Sequence, residues 1–397
     1  MRRPSVRVRL VAPLKPLLRK WLFYSGDIMK KIKDFCKKEI VLIISFILAV
    51  CSAFLVKPNI GYIDYIDFKT LILLFCLMAV MAGLNSLGIF RLIAAKLLKF
   101  TKTSRSLCLV LSLLCFFSSM IITNDVALIT FVTFSVIILN ISQKKNLLIP
   151  LVTLETVAAN LGSMVTPIGN PQNLYLFSSF NLSLEEFFKT LLPYALLSLV
   201  LTAFSALFFK KDTLQIAEDN EYIKSNKILT AIYAVLFVIS ILTVFRVIPH
   251  AITLALTVLI ILIFDRKTLL KADYSLLLTF TFLFIFIGNL KNIESVNNLL
   301  SNAVNGNELV AGIAASQIFS NVPAAILLSA FTSNISELLI GVNLGGLGTL
   351  IASMASLISF KYVVKEKVSA SRYLAVFTGV NLVFLVANIL LWLILNK

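Results

Sequence analysis

The chain has 397 residues, of which 59 % are hydrophobic and only 14 % charged; its mean hydropathy is +0.96. A soluble domain, at roughly 45–50 % apolar and about 25 % charged, cannot hide that much apolar surface. A formal net charge of +17 would point to nucleic acid in a soluble protein, but the Lys and Arg stand in short segments between apolar runs, where they set membrane orientation, and no nucleic-acid partner is expected.

Apolar runs long enough to cross about 30 Å of hydrocarbon as helix, roughly 20 residues, follow one another along the chain. In lipid the backbone satisfies its own hydrogen bonds, and the two-residue alternation of barrel strands is absent, so the expected fold class is an all-α polytopic membrane protein. Residues 1–39 are a basic N-terminus, and 1–28 lack the apolar core of a secretory signal; they read as an organellar transit segment or as untranslated, and the second is favoured because Met29 opens a fresh basic stretch, Lys30 to Lys38. Residues 40–104 hold the first spans, 40–56 and 69–90. Asp64 and Asp67 lie in the loop between them, and Arg91, Lys96, Lys99, Lys102 and Arg105 follow them. That charge pattern puts the N-terminus in the cytoplasm. Five cysteines, Cys36, Cys51, Cys76, Cys108 and Cys115, form no CxxC pair and read as small hydrophobes.

The next unit is 105–209. Its apolar stretch 105–140 is interrupted by Ser118-Ser119 and Thr123-Asn124-Asp125 and has basic residues at both ends. Two full crossings, with Asn124 and Asp125 at an outer turn, would satisfy that charge parity, but with limbs of about 15–17 residues it reads as a re-entrant hairpin, because polar backbone at membrane depth is tolerated only where it is packed in protein or lines a cavity. A span over 147–178 is then broken at Gly162 and by Thr166-Pro167-Ile168-Gly169-Asn170-Pro171. Proline lacks the N–H and glycine weakens the turn, which frees carbonyls for a cation and N–H groups for an anion. Span 189–209 closes the unit, and 210–227 is a hydrophilic cytoplasmic linker.

The second half begins with scaffold spans 228–245, 250–264 and 274–290 and an external polar segment, 291–308. The final unit, 309–397, repeats the first: an apolar stretch broken at Ser320-Asn321-Val322-Pro323, an interrupted span over 338–360, and a last span over 373–395. The interrupted spans match, with Asn160-Leu161-Gly162 to Thr166 in one and Asn343-Leu344-Gly345 to Thr349 in the other. Charge parity brings one hairpin in from the inside and the other from the outside, so the copies are inverted, a pattern that points to a secondary transporter with its site at the broken segments.

Two acids in apolar surroundings, Asp125 and Glu155, are functional candidates by cost alone, each able to bind a coupling cation or carry a proton. Glu155 lies about ten residues after Lys145, so an ordinary position near the inner mouth of its span is its alternative reading. His250, the only histidine, follows Pro249 at a loop and reads as interfacial.

These motifs resemble the ion transporter superfamily, in particular citrate-transporter-like and arsenite-permease-like carriers and the divalent-anion/sodium symporters. The matching positions are Thr123-Asn124-Asp125 with Thr166 to Asn173, and Ser320-Asn321-Val322 with Gly345 to Ser353. The resemblance implies inverted repeats, two re-entrant hairpins and two broken helices. It implies that Asn124 and Asn321 help hold sodium and that Thr123 and Ser320 contact substrate. The substrate-binding set is then Thr123, Asn124, Asp125, Thr166, Pro167, Gly169, Asn170, Ser320, Asn321, Val322 and Thr349. The coupling-cation set is Asn124, Asp125, Glu155, Gly162, Asn321 and Gly345. Dicarboxylate symporters prefer Thr at the third tip position, where this chain has Asp125 and Val322; an Asn-Asp tip looks more like arsenite permeases.

The expected function is alternating-access transport of a small anion or oxyacid, coupled to sodium or protons, with no cofactor beyond that ion. The alternative is a sodium/proton antiporter of the same superfamily. One histidine and no metalloprotease-type spacing argue against an intramembrane enzyme. The first two spans and 228–290 are candidates for a homodimer surface, and a prokaryotic plasma membrane is the expected location.

Overall fold

The protein is described here by a computed structural model covering residues 39–98, 101–213 and 226–396. The basic stretch before the first span and most of the linker lie outside the described residues. The described residues are helical, and seven helices are long and apolar enough to cross a membrane. The chain is thus a multi-pass integral membrane protein.

In chain order the helices are α1 (Ile40–Leu55), α2 (Phe68–Ser86), α3 (Ile89–Leu98), α4 (Ser104–Ile122), α5 (Asn124–Ile141), α6 (Leu148–Ser163), α7 (Pro171–Ser179) and α8 (Leu184–Ala206). After the linker come α9 (Lys227–Val244), α10 (His250–Leu269), α11 (Tyr274–Lys291), α12 (Glu294–Val304), α13 (Glu308–Phe319), α14 (Asn321–Ser329), α15 (Ile335–Leu344), α16 (Met354–Lys365) and α17 (Ala370–Leu395). Local sequence sets many of the starts. Asp67, Asn170, Ser183, Asn226, Asp273, Asn334 and Ser369 each accept a backbone N–H of the first turn, and Thr103 forms a capping box with Ser106.

The packing pattern of α1 to α8 recurs in α10 to α17. Helix α1 packs on α11 as α10 packs on α2, α4 on α6 as α13 on α15, α5 on α16 as α14 on α7, and α17 on α6 as α8 on α15. Two short helices that the hydropathy pattern left as loops, α3 and α12, hold equivalent places, each followed by a helix that leads to a broken tip. Arg91 and Lys96 interrupt α3, and serines and asparagines are scattered through α12, so neither shows as a continuous apolar run.

The limbs of the first tip are longer than the sequence implied. Helices α4 and α5 have 19 and 18 residues, whereas α13 and α14 have 12 and 9. At about 1.5 Å per residue, the second pair is far too short to cross the hydrocarbon. The far end of α7 is anchored to α2 and to the α9–α10 turn. Arg246 donates to the carbonyls of Phe177 and Leu182, both at 3.1 Å, and Lys69 to that of Ser178 at 3.3 Å. The Ser179 hydroxyl donates to Asp67. Cations at a helix C-terminus satisfy its last carbonyls and complement its dipole. The start of the linker is tied to α4, where Ser104 N donates to Asp212 O at 2.8 Å and Arg105 Nε to Phe209 O at 2.9 Å.

Of the cysteines in the described residues, Cys76, Cys108 and Cys115 are buried and unpaired, as expected of small hydrophobes, while Cys51 is exposed on α1.

Candidate functional site

The two tips adopt one conformation. Thr123 has φ 69° and ψ 149°, and Ser320 has φ 75° and ψ 153°. A non-glycine residue there costs on the order of 1–3 kcal/mol and persists only where its surroundings enforce it. Each tip is tethered to the broken segment of its own half. In the first half Asn124 N donates to Gly169 O at 3.1 Å, and the Thr166 hydroxyl donates to the Met120 carbonyl. In the second, Gln317 Nε2 donates to the carbonyls of Gly345 and Leu347, each at 2.9 Å, and its Oε1 accepts Thr349 N at 2.9 Å. Met120 and Gln317 stand three residues before their tips, so one position performs the same task in both halves with different chemistry.

Between the tips the two halves are joined by asparagines. Asn160 Oδ1 accepts Asn124 Nδ2 at 3.1 Å and Ser353 Oγ at 3.0 Å, and Asn160 Nδ2 donates to Gly346 O at 3.3 Å. On the other side Asn170 Nδ2 donates to Asn343 Oδ1 at 3.2 Å and to Ser163 Oγ at 3.1 Å. Asn343 Nδ2 in turn donates to Asn173 Oδ1 at 2.6 Å, while Asn173 Nδ2 reaches the carbonyls of Met164 and Thr166 at 3.3 Å. Asn170 and Ser353 each lie ten residues after the asparagine that heads their repeat. The bonds Ser353–Asn160 and Asn170–Asn343 are therefore equivalents. All of these side chains are buried, and among the described residues no lysine or arginine donates a hydrogen bond to them.

Of the residues expected from sequence, Asn124, Asn170, Ser320 and Asn321 are buried at or beside this centre, with Thr123 half-buried. The Asn321 amide lies beside Gly346, 3.1 Å from where a Cβ would stand. Val322 is turned elsewhere: with Pro323 it lines a narrow crevice, about 80 Å³, whose walls include Ile40, Ser275, Ile358 and Lys361. Pro167 is buried and Thr349 exposed. Gly162 and Gly345 are packing glycines whose carbonyls already accept Val165 N at 3.1 Å and Gln317 Nε2 at 2.9 Å respectively. A Cβ on Gly162 would fall 2.1 Å from Phe116 O, and one on Gly169 2.1 Å from Ser163 O.

The two acids differ. Asp125 opens α5, where the helix dipole favours a negative charge, and its Oδ1 is buried without a partner. Glu155 is fully buried midway along α6; Ser135 Oγ donates to its Oε1 at 2.5 Å, and Oε2 has no partner. No group of three or more His, Cys, Asp or Glu among the described residues could hold a metal ion. Sequence reasoning used Asn160 and Asn343 only as markers of the repeat and missed them, with Ser163, Asn173, Ser353 and Gln317, as members of the site. The signal was present: a buried carboxamide in an apolar helix needs partners.

The citrate transporter family model matches residues 28–340, the greater part of the chain and both tips. The chain belongs to the citrate transporter family. A transporter of Methanocaldococcus jannaschii is 36 % identical over 299 residues, covering 75 % of this chain and 81 % of the relative. An inner membrane protein of Escherichia coli is 30 % identical over 305 residues, covering 75 % and 80 %. A silicon efflux transporter of Oryza sativa subsp. japonica is 32 % identical over 129 residues, 32 % of this chain and 26 % of that one. The chain is thus a membrane transporter of this family, with a buried polar centre where its two halves meet.

Proposed function

We propose that this transporter moves a small hydroxylated oxyacid by alternating access, with α1–α8 and α10–α17 as inverted repeats and the two tips as re-entrant hairpins facing each other. The observation that carries this reading is the centre itself: carboxamides and hydroxyls from both halves, with no cationic side chain bonded to them and with Asp125 close by. A polycarboxylate brought there would meet no counter-charge, and burying an uncompensated anion costs several kcal/mol or more. A neutral acid that donates and accepts hydrogen bonds suits carboxamides, which do both. The rice relative, named for silicon efflux, agrees with this class of cargo.

The crevice lined by Val322 and Pro323 and reaching Lys361 supports an inward-facing state, since the charge pattern puts Lys361 in the cytoplasm. On the other side α7 is held by Arg246 and Lys69, and Tyr175 packs with Phe280 and Phe284 at 6.2 and 5.7 Å, which closes the outer route. The carrier works in a prokaryotic plasma membrane with its N-terminus cytoplasmic, driven by a sodium or proton gradient; 40–104 and 228–308 form the scaffold and a homodimer face. Uptake of arsenite, silicic acid, succinate and citrate into proteoliposomes, under a sodium and separately a proton gradient, tests the reading. Gradient-driven accumulation of a hydroxylated oxyacid and not of the carboxylates is expected. Accumulation of citrate alone overturns the cargo, and accumulation of none of them favours cation exchange.

A further inference from the structure

Glu155 is a carboxyl that the packing of the fold does not need. Its equivalent in the second half, five residues before Asn343, is Leu338, which is equally buried. The side chain has no exposed surface, one hydroxyl donor in Ser135, and a second oxygen, Oε2, without a partner. Helix α4 presents Cys108 and Cys115 within electrostatic reach of it, and α17 presents Tyr373. From α8, α15 and α16, which also pack on α6, no described residue hydrogen-bonds or ion-pairs with it. The adjacent Thr156 hydroxyl is committed to Val152 O at 2.6 Å and Ser359 Oγ at 2.7 Å. An isolated carboxylate in such a place takes up a proton instead of remaining charged.

We infer that Glu155 is the proton-binding site of this carrier, neutral in the present conformation, with Ser135 donating to Oε1 and the proton on Oε2. The inference rests on the carrier reading and names its coupling ion. Its link to the centre is mechanical. Ser135 and Asn124 both lie on α5, and Glu155 and Asn160 both lie on α6. The Ser135–Glu155 and Asn124–Asn160 bonds therefore span the same helix pair, with Glu155 and Asn160 about 7.5 Å apart along α6. Loss of the proton leaves a charge that drives that pair apart toward water, and the Asn124–Asn160 contact opens with it. Return of the proton restores both bonds.

Infrared spectra of the purified protein read the proton directly, without any substrate. At neutral pH the wild type and Asp125→Asn show the C=O stretch of a protonated buried carboxyl, and Glu155→Gln loses it. A Glu155→Gln spectrum identical to wild type overturns the proposal. If Glu155→Gln is not monodisperse, Glu155→Leu, which copies Leu338, replaces it. In proteoliposomes, arsenite uptake by the wild type changes at least tenfold on imposing a proton gradient, and that response is lost in the variant. A gradient response retained in the variant also overturns the proposal. A wild type that shows the band but carries no acid places the failure in the carrier reading and leaves the proton site standing.

Discussion

Replacing Gly162 by alanine tests whether the first hairpin and broken helix are fitted as closely as described. The new methyl would lie 2.1 Å from the Phe116 carbonyl oxygen and 2.7 Å from Ser119 Oγ. The serine can turn away, but the carbonyl belongs to the α4 backbone, so α4 and α6 must separate by more than an ångström. Overpacking of this kind costs about 1–3 kcal/mol, against a gain of up to about 1 kcal/mol for removing a helical glycine. The net expectation is a loss of about 1–2 kcal/mol, read as a lower thermal midpoint in detergent. Gly379, in α17, has nothing within 4 Å of a new Cβ, so Gly379→Ala is neutral or stabilising. Equal midpoints for the two variants would refute the packing argument.

Asn173→Ala removes the donor to two backbone carbonyls and the acceptor for Asn343; Thr166 O keeps Gly169 N, so two groups are stranded, and at about 1–3 kcal/mol each a loss of about 2–6 kcal/mol is expected in denaturant unfolding. Arg246→Ala frees the carbonyls of Phe177 and Leu182 and should increase labelling of a cysteine placed at Ser329, which faces Tyr175 at 3.0 Å, by a membrane-impermeant thiol reagent in a background lacking native cysteines. Unchanged labelling would remove Arg246 from the outer closure. Lys144 holds the Asp212 carboxyl below the ordinary carboxylate range, first through its hydrogen bond and then through its charge. That contribution is present at neutral pH and lost only as pH falls through the lowered value. Because the pair is solvent-exposed, Lys144→Met should leave the thermal midpoint at pH 7 unchanged.

Much of the architecture was legible because lipid allows so few solutions: apolar runs become helices, and Gly, Pro and Asn within them mark breaks. The breaks at 123, 164–170, 320 and 345–353 fall at or beside the segments expected from sequence, although Gly162, expected to break its span, lies within α6, which runs on to Ser163. Helices α3 and α12 escaped notice because their apolar positions are interrupted, by Arg91 and Lys96 in α3 and by serines and asparagines in α12, and leave no continuous apolar run. The limits of α4 and α5 were misjudged because the polar Ser118 and Ser119 were read as a break. In the structure their hydroxyls donate to the carbonyls of Leu114 and Phe116, so the helix continues through them. The centre was half legible. Tip asparagines stand out by type, but the partnership of Asn170 with Asn343, 173 residues apart, comes from packing between the halves, which spacing within either half does not reveal.

The most direct test of the central claim, that both halves contribute to one translocation site, is the flux of Asn124→Ala and Asn321→Ala in proteoliposomes beside the wild type, with each variant confirmed monodisperse. Loss of transport in both variants is predicted; wild-type flux in either would contradict a site shared between the two tips.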